Sequence, residues 1–267
     1  MSAIAAALDA AKAEGRAALI GYLPVGYPDV DRSCRAMQAM VESGVDIVEV
    51  GLPYSDPVLD GATIQFAAAA ALAGGSRIRD VFTAVRAVVD AGAPATVMTY
   101  YNPILQYGLE RFAADLAGAK GSGVILPDLT PDVASDWLAG AEKHGLDSTF
   151  LVAPSSTQER IHSTVAATTG FVYATSLMGV TGERATVGEQ AERLVRDTRV
   201  AGAKYVCVGI GISTGAHAAQ VAQYADGVIV GAALVRCLVD NADDEEAALD
   251  ALRAKAAELA AGVRGKS

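Results

Sequence analysis

Positive charge is scarce in this chain. Only 21 Lys and Arg stand against 31 Asp and Glu, a formal net charge of −10 over 267 residues. A surface of that sign repels polyanions, which excludes a general binder of nucleic acid or anionic membranes. A single small anion is still allowed, because N–H groups at a helix start hold one phosphate locally whatever the overall charge. Cysteine is scarcer still. Cys34, Cys207 and Cys237 are odd in number, lie far apart and form no C-x-x-C pair, so neither a disulfide framework nor a zinc site is expected, and a reducing cytoplasm is the simplest compartment. The three histidines, His144, His162 and His217, fall in helical stretches and suggest no metal-ligand cluster. Long apolar runs are missing too. The charge-free stretch Ile161–Gly182 is broken by Ser, Thr and Gly, and residues 1–18 carry Asp9, Lys12 and Glu14 inside an amphipathic helical pattern rather than a secretory apolar core. There is no G-x-S-x-G elbow for a nucleophilic serine and no lysine at the end of an apolar run for a Schiff base.

Apolar residues themselves are plentiful, at 52%. They gather in eight short runs rich in β-branched residues: Leu19–Leu23, Ile47–Val50, Ala95–Thr99, Gly123–Leu126, Ser148–Val152, Phe171–Thr175, Tyr205–Val208 and Gly227–Val230. None keeps the apolar/charged alternation of a half-wet sheet, so they read as strands buried on both faces, as parallel strands under helices are. Ala-rich helical segments lie between them, including Asp29–Glu42 with Asp29 as its N-cap, Ile78–Asp90, Pro131–His144, Thr214–Tyr224 and, near the end, Ala247–Ala261. Eight βα units in about 250 residues predict an α/β fold of the TIM (β/α)8 barrel type with extra N-terminal and C-terminal helices, whose active site lies in the loops at the strand C-termini. A doubly wound sheet is the alternative, and no G-x-G-x-x-G follows the first strand to favour it. With no linker, low-complexity tract or charge block, residues 1–267 read as a single catalytic domain. Three connections exceed the minimum: Leu52–Gly61 and Ser176–Gly188 on the catalytic face, and Asp240–Glu246, which reads as a link between two helices.

Glu49 is the residue that stands out. It sits within Ile47-Val48-Glu49-Val50, a strand expected to be dry on both faces, where an unpaired carboxylate is costly. The other strands supply almost no basic partner, Lys204 being the nearest candidate and at the opposite end of the barrel. Burial without a cation raises a carboxyl pKa towards neutrality, which suits a group that both gives and takes protons. Asp60 lies eleven residues on, in a loop stiffened by two prolines. Asp56 and Asp60 could simply cap the helix that starts near Ala62, but a buried carboxyl beside a carboxylate at the mouth supplies the two unequal environments acid/base chemistry requires. Gly209-Ile210-Gly211-Ile212-Ser213 after the seventh run and Gly231-Ala232-Ala233 after the eighth, each read as opening a helix, form a candidate phosphate site.

The segment Val48-Glu49-Val50-Gly51-Leu52-Pro53-Tyr54-Ser55-Asp56-Pro57-Val58-Leu59-Asp60-Gly61 closely resembles the signature of the tryptophan synthase alpha chain family. The likeness extends through Pro24–Pro28, Thr99–Asn102, Gly179–Gly182 and Gly209–Ser213. The resemblance implies cleavage of 1-(indol-3-yl)glycerol 3-phosphate to indole and glyceraldehyde 3-phosphate, with Glu49 and Asp60 as the catalytic pair. It implies Tyr173 near the substrate glycerol, Tyr22 and Tyr100 in the indole pocket, Thr181 as the lid residue that pairs with Asp60, and Gly182, Gly211, Gly231 and Ala232 around the phosphate. No metal or organic cofactor is implied for this chain. Pyridoxal phosphate is expected only in a partner beta chain, within an alpha2beta2 assembly. The sequence departs from enteric members at Leu177, where they carry a basic residue, and at Ala232, where they carry a serine. Two other readings remain: another phosphate-binding barrel enzyme, such as an isomerase of phosphoribosyl compounds, and a non-catalytic regulatory subunit.

Overall fold

The structure is a computed structural model that describes residues 2–175, 184–209 and 211–265. Its strands are β1 (Ala18–Pro24), β2 (Ile47–Gly51), β3 (Ala95–Met98), β4 (Gly123–Ile125), β5 (Asp147–Thr149), β6 (Leu151–Val152), β7 (Val172–Thr175), β8 (Val206–Gly209) and β9 (Gly227–Val230). The helices are α1 (Ala3–Ala13), α2 (Val30–Glu42), α3 (Ala62–Ala73), α4 (Asp80–Asp90), α5 (Tyr101–Tyr107), α6 (Leu109–Gly118), α7 (Ser135–Lys143), α8 (Gln158–Ala167), α9 (Arg184–Val200), α10 (Gly215–Ala222), α11 (Ala232–Asp240) and α12 (Glu245–Val263).

All strand pairs are parallel, in the order β5-β4-β3-β2-β1-β9-β8-β7-β6. The two ends of that order are one stretch of chain interrupted only at Phe150. β5 pairs with β4 and β6 with β7, so the fifth expected strand lends one half to each neighbour and closes the barrel. The backbone at the break stays bonded, Tyr173 N donating to Phe150 O at 3.0 Å.

Strand residues alternate between two apolar layers. Val48, Val50, Val97, Val124, Val206, Val208, Val228 and Val230 point outward into the core beneath the helices. Ile20, Ile47, Ile125, Phe171, Cys207 and Ile229 point inward and meet Ile4, Leu8 and Ala11 of α1, which floors the barrel at its N-terminal end. Tyr205 Oη, just before β8, donates to Asp9 Oδ1 at 2.8 Å and ties that floor to the start of the strand. α12 packs across α2, α10 and α11. Thus both additional helices expected from sequence are present, and among the described residues no helix is long and apolar enough to cross a membrane.

Local chemistry sets the element ends. Asp29 caps α2 as expected, accepting from Arg32 N at 2.8 Å. Two helix starts differ from the sequence reading. Asp80 Oδ2 accepts from Arg77 N at 2.7 Å, a turn that delays α4 to Asp80, and Pro131–Val133 forms a separate 3-10 turn before α7. The connection expected over Ser176–Gly188 is also shorter, because α9 begins at Arg184 and takes in Gly188.

Candidate active site

A cavity of about 660 Å³ opens at the strand C-termini. Glu49 of β2 lines it, is 1% exposed, and its Oε1 has no hydrogen-bond partner. Burial alone pushes its carboxyl up to about 8, since desolvation penalises the charged form and no cation compensates. Lys204, the one cation the sequence offered, instead sits 3.6 Å from Asp9 at the floor.

Asp60 reaches the same cavity from the loop 52–61 between β2 and α3. It is half-buried, and burial pushes its carboxyl up to about 6. The capping explanation fails: Gly61 is the N-cap of α3, and no side chain caps that helix. Asp56 stays exposed and accepts from Ser55 Oγ at 2.6 Å. The loop is held at both ends, by Leu52 N donating to Met98 O at 3.0 Å and by Gln65 Nε2 donating to Asp60 O at 2.8 Å.

Tyr22 and Tyr173 line the cavity with their side chains in the barrel interior. Glycine makes this possible: a Cβ on Gly51 would collide with the Tyr22 ring, and one on Gly209 with the Tyr173 ring. Tyr100 departs from expectation. It is not among the cavity-lining residues; its ring packs against Tyr54 with centroids 5.1 Å apart, and its hydroxyl accepts from Leu59 N at 3.0 Å. Tyr100 therefore braces the loop that carries Asp60. Thr181, Gly182 and Leu177 lie outside the described residues.

Gly211, Ile212, Ser213, Gly231, Ala232 and Ala233 line the far end of the cavity. Gly211 has φ of +75°, a conformation that glycine adopts without strain. Gly231 precedes α11 with no side-chain cap, so the first N–H groups of that helix are free to meet an anion. The other turn leads into α10 next to the start read from the sequence, Thr214, but N–H groups at that start are already taken. α10 starts at Gly215, where Thr214 caps it by accepting from His217 N at 3.2 Å and Gly215 N is taken by Glu258 Oε1 at 2.8 Å. Only loop backbone is left to contribute there.

Two cations that sequence reasoning missed, Arg236 and Lys255, complete this end. Arg236 stands one helical turn after Ala232 on α11, a spacing that puts both on one face and was readable. Lys255 comes from α12, where it bonds Glu258 at 2.6 Å and Ser213 O at 3.3 Å, and nothing local in the sequence announces that approach. Asp240 and Asn241, where α11 gives way to the link before α12, edge the same space.

The family model for the tryptophan synthase alpha chain matches residues 8–264. The chain belongs to that family. It is 56% identical to the tryptophan synthase alpha chain of Mycobacterium marinum over 259 residues, which cover 97% of this chain and 94% of the relative. It is also 56% identical to that of Thermobifida fusca over 267 residues, covering 99% and 98%. Among solved structures, a tryptophan synthase from Mycobacterium tuberculosis in space group F222 matches with a TM-score of 0.91 at 56% identity, covering 98% of each chain. The tryptophan synthase subunit alpha of Legionella pneumophila reaches the same TM-score of 0.91 at 32% identity, covering 99% of each. Such agreement at nearly full length favours the alpha-chain reading over a phosphoribosyl isomerase.

Proposed function

We propose that Glu49 and Asp60 are the catalytic pair that cleaves 1-(indol-3-yl)glycerol 3-phosphate to indole and glyceraldehyde 3-phosphate. The observation that carries this reading is a cavity holding two carboxyls in unlike environments, one partnerless and raised to about 8, the other raised to about 6. At pH 7 the first is mostly protonated and the second mostly ionised, so one is an acid and the other a counter-charge. Glu49 gives its proton to indole C3, and the ring becomes an electron sink with its positive charge on N1–H. The Asp60 carboxylate accepts from that N1–H and balances its charge. The newly formed Glu49 carboxylate takes the proton of the hydroxyl on the carbon attached to C3. The C–C bond then breaks, its electron pair returns to the ring, and an aldehyde is left. The proton inventory of Glu49 closes within the cycle.

In this reading Tyr22 flanks the indole, Tyr173 the glycerol, and the N–H groups at Gly211, Gly231 and Ala232 hold the phosphate together with Gly182. Addition of indole glycerol phosphate to the purified chain should release indole, and Glu49→Gln should lower the rate by about 10²-fold or more while the fold is retained. Near-normal turnover in that variant would remove Glu49 from the chemistry and revive a purely regulatory role.

Residues 1–267 are read as one catalytic domain in the cytoplasm. Its partner is a beta chain in an alpha2beta2 assembly, with pyridoxal phosphate held by the partner alone. A beta chain docking near Tyr54–Pro57 would favour a closed arrangement in which Thr181 donates to Asp60. Titrating the beta chain into the indole assay should raise wild-type activity and stimulate Thr181→Val less; a flat wild-type response would refute the coupling.

A further inference from the structure

Four buried side-chain atoms lack a hydrogen-bond partner among the described residues: Glu49 Oε1, Ser76 Oγ, Thr96 Oγ1 and Asp147 Oδ2. Two of them stand side by side. Glu49 of β2 is in direct register with Thr96 of β3. Residues so paired project from the same face of the sheet, on backbones roughly 4.8 Å apart. Glu49 faces the cavity, whereas Ala95 and Val97 on either side of Thr96 belong to the outer core, so Thr96 also points into the barrel. It is fully buried there. On its other side the register partner is Gly123, which has no side chain. The Thr96 hydroxyl therefore has a single polar side chain next to it in register, and that side chain is Glu49.

Packing does not call for a hydroxyl at this position. Valine has the same shape and the same preference for a strand, and a buried unpaired hydroxyl is a net penalty that valine would remove. The groups facing Glu49 from other elements are Tyr22 on β1, Tyr173 on β7, Cys207 on β8 and Asp60 on the loop after β2, and none of them is a cation.

We propose that Thr96 is a positioning residue for Glu49, its hydroxyl bonding the Glu49 carboxyl once that side chain turns towards β3. The inference rests on Glu49 being the acid and base of the reaction proposed above. A hydroxyl suits that partner because it accepts from a carboxylic acid and donates to a carboxylate, so it serves Glu49 both before and after the proton leaves. It also limits the rotamers of a long side chain whose proton must reach two different atoms of the substrate in turn.

The test compares Thr96→Val, Thr96→Ala and Thr96→Ser with wild type in two measurements. In the first, the Glu49 carboxyl is titrated directly, by NMR of protein carrying carbon-13-labelled glutamate, with Glu49→Gln used to assign its signal. Loss of a donor to the carboxylate should raise its titration midpoint by about one pH unit in the valine and alanine variants, and serine should keep it near wild type. The second measurement is indole release, where valine should lower kcat about tenfold with KM little changed, and serine should restore most of it. Should valine fail to fold, alanine, which removes the hydroxyl without adding bulk, carries the same expectations. A midpoint that does not move when the hydroxyl is removed overturns the proposal, as does a serine variant that behaves like valine. A wild-type chain that releases no indole would instead overturn the reaction assigned above, and the titration would still report on Thr96.

Discussion

In the proposed reaction the charge states of two carboxyls decide the pH range in which this site can work. Glu49 must begin protonated, so activity should fall as pH rises past about 8. Asp60 must be ionised, so activity should also fall as pH drops past about 6. The kcat/KM profile of indole release, which reports the free enzyme, should thus be bell-shaped between those limits, and a profile flat from pH 5 to 9 would contradict the assignment. Glu49 was legible in the sequence because a carboxylate inside a run of Ile and Val has no bland explanation once nearby cations are absent. Tyr100 was not. A sequence gives the type of an aromatic residue near a strand end, whereas its role here depends on a bond to Leu59 N from 41 positions away.

Single elements position these groups. The Asp60 loop depends on Tyr100 as a brace, and Tyr100→Phe deletes the acceptor without altering the ring. A neutral bond at a partly hydrated position is worth about 1 kcal/mol, so kcat should fall about two- to fivefold. Glycerol phosphate affinity should stay unchanged in the same variant, which separates a loop effect from damage to the whole cavity. At the other end of the site, the uncapped start of α11 together with Arg236 and Lys255 lines the proposed place of one phosphate. Millimolar glycerol phosphate should raise the melting temperature of the wild type, with a smaller rise in Arg236→Met; no rise in the wild type would count against the site. The strands and most helices were readable because their periodicities are local. The start of α10 was readable too, because Thr214, the first residue of the expected helix, is its cap.

For the molecule as a whole, barrel closure was predicted from a count of eight apolar runs, and its form at Phe150 was not. Ser148–Val152 reads as one uninterrupted strand, and only the tilt needed to reach two different neighbours divides it. The net charge of −10 likewise gave no hint that two cations converge at one end of the cavity, because composition carries no placement.

The floor made by Ile4, Leu8 and Ala11 has a kinetic consequence. A barrel stoppered at its N-terminal end by these residues directs the products of an isolated chain towards the mouth. Glu49 is buried, whereas Gly211 and Ala232 of the proposed phosphate cradle are exposed, so the sugar phosphate would lie nearer to solvent than the indole carbon that Glu49 protonates. In the proposed binding mode departure should be ordered, with glyceraldehyde 3-phosphate leaving first and indole last. Under steady-state conditions the last product to leave competes with substrate for the empty enzyme and the first does not. Indole should inhibit the isolated chain competitively against indole glycerol phosphate, and glyceraldehyde 3-phosphate should inhibit it noncompetitively. The reverse pattern would mean that the sequence of exit is not set by depth in the barrel.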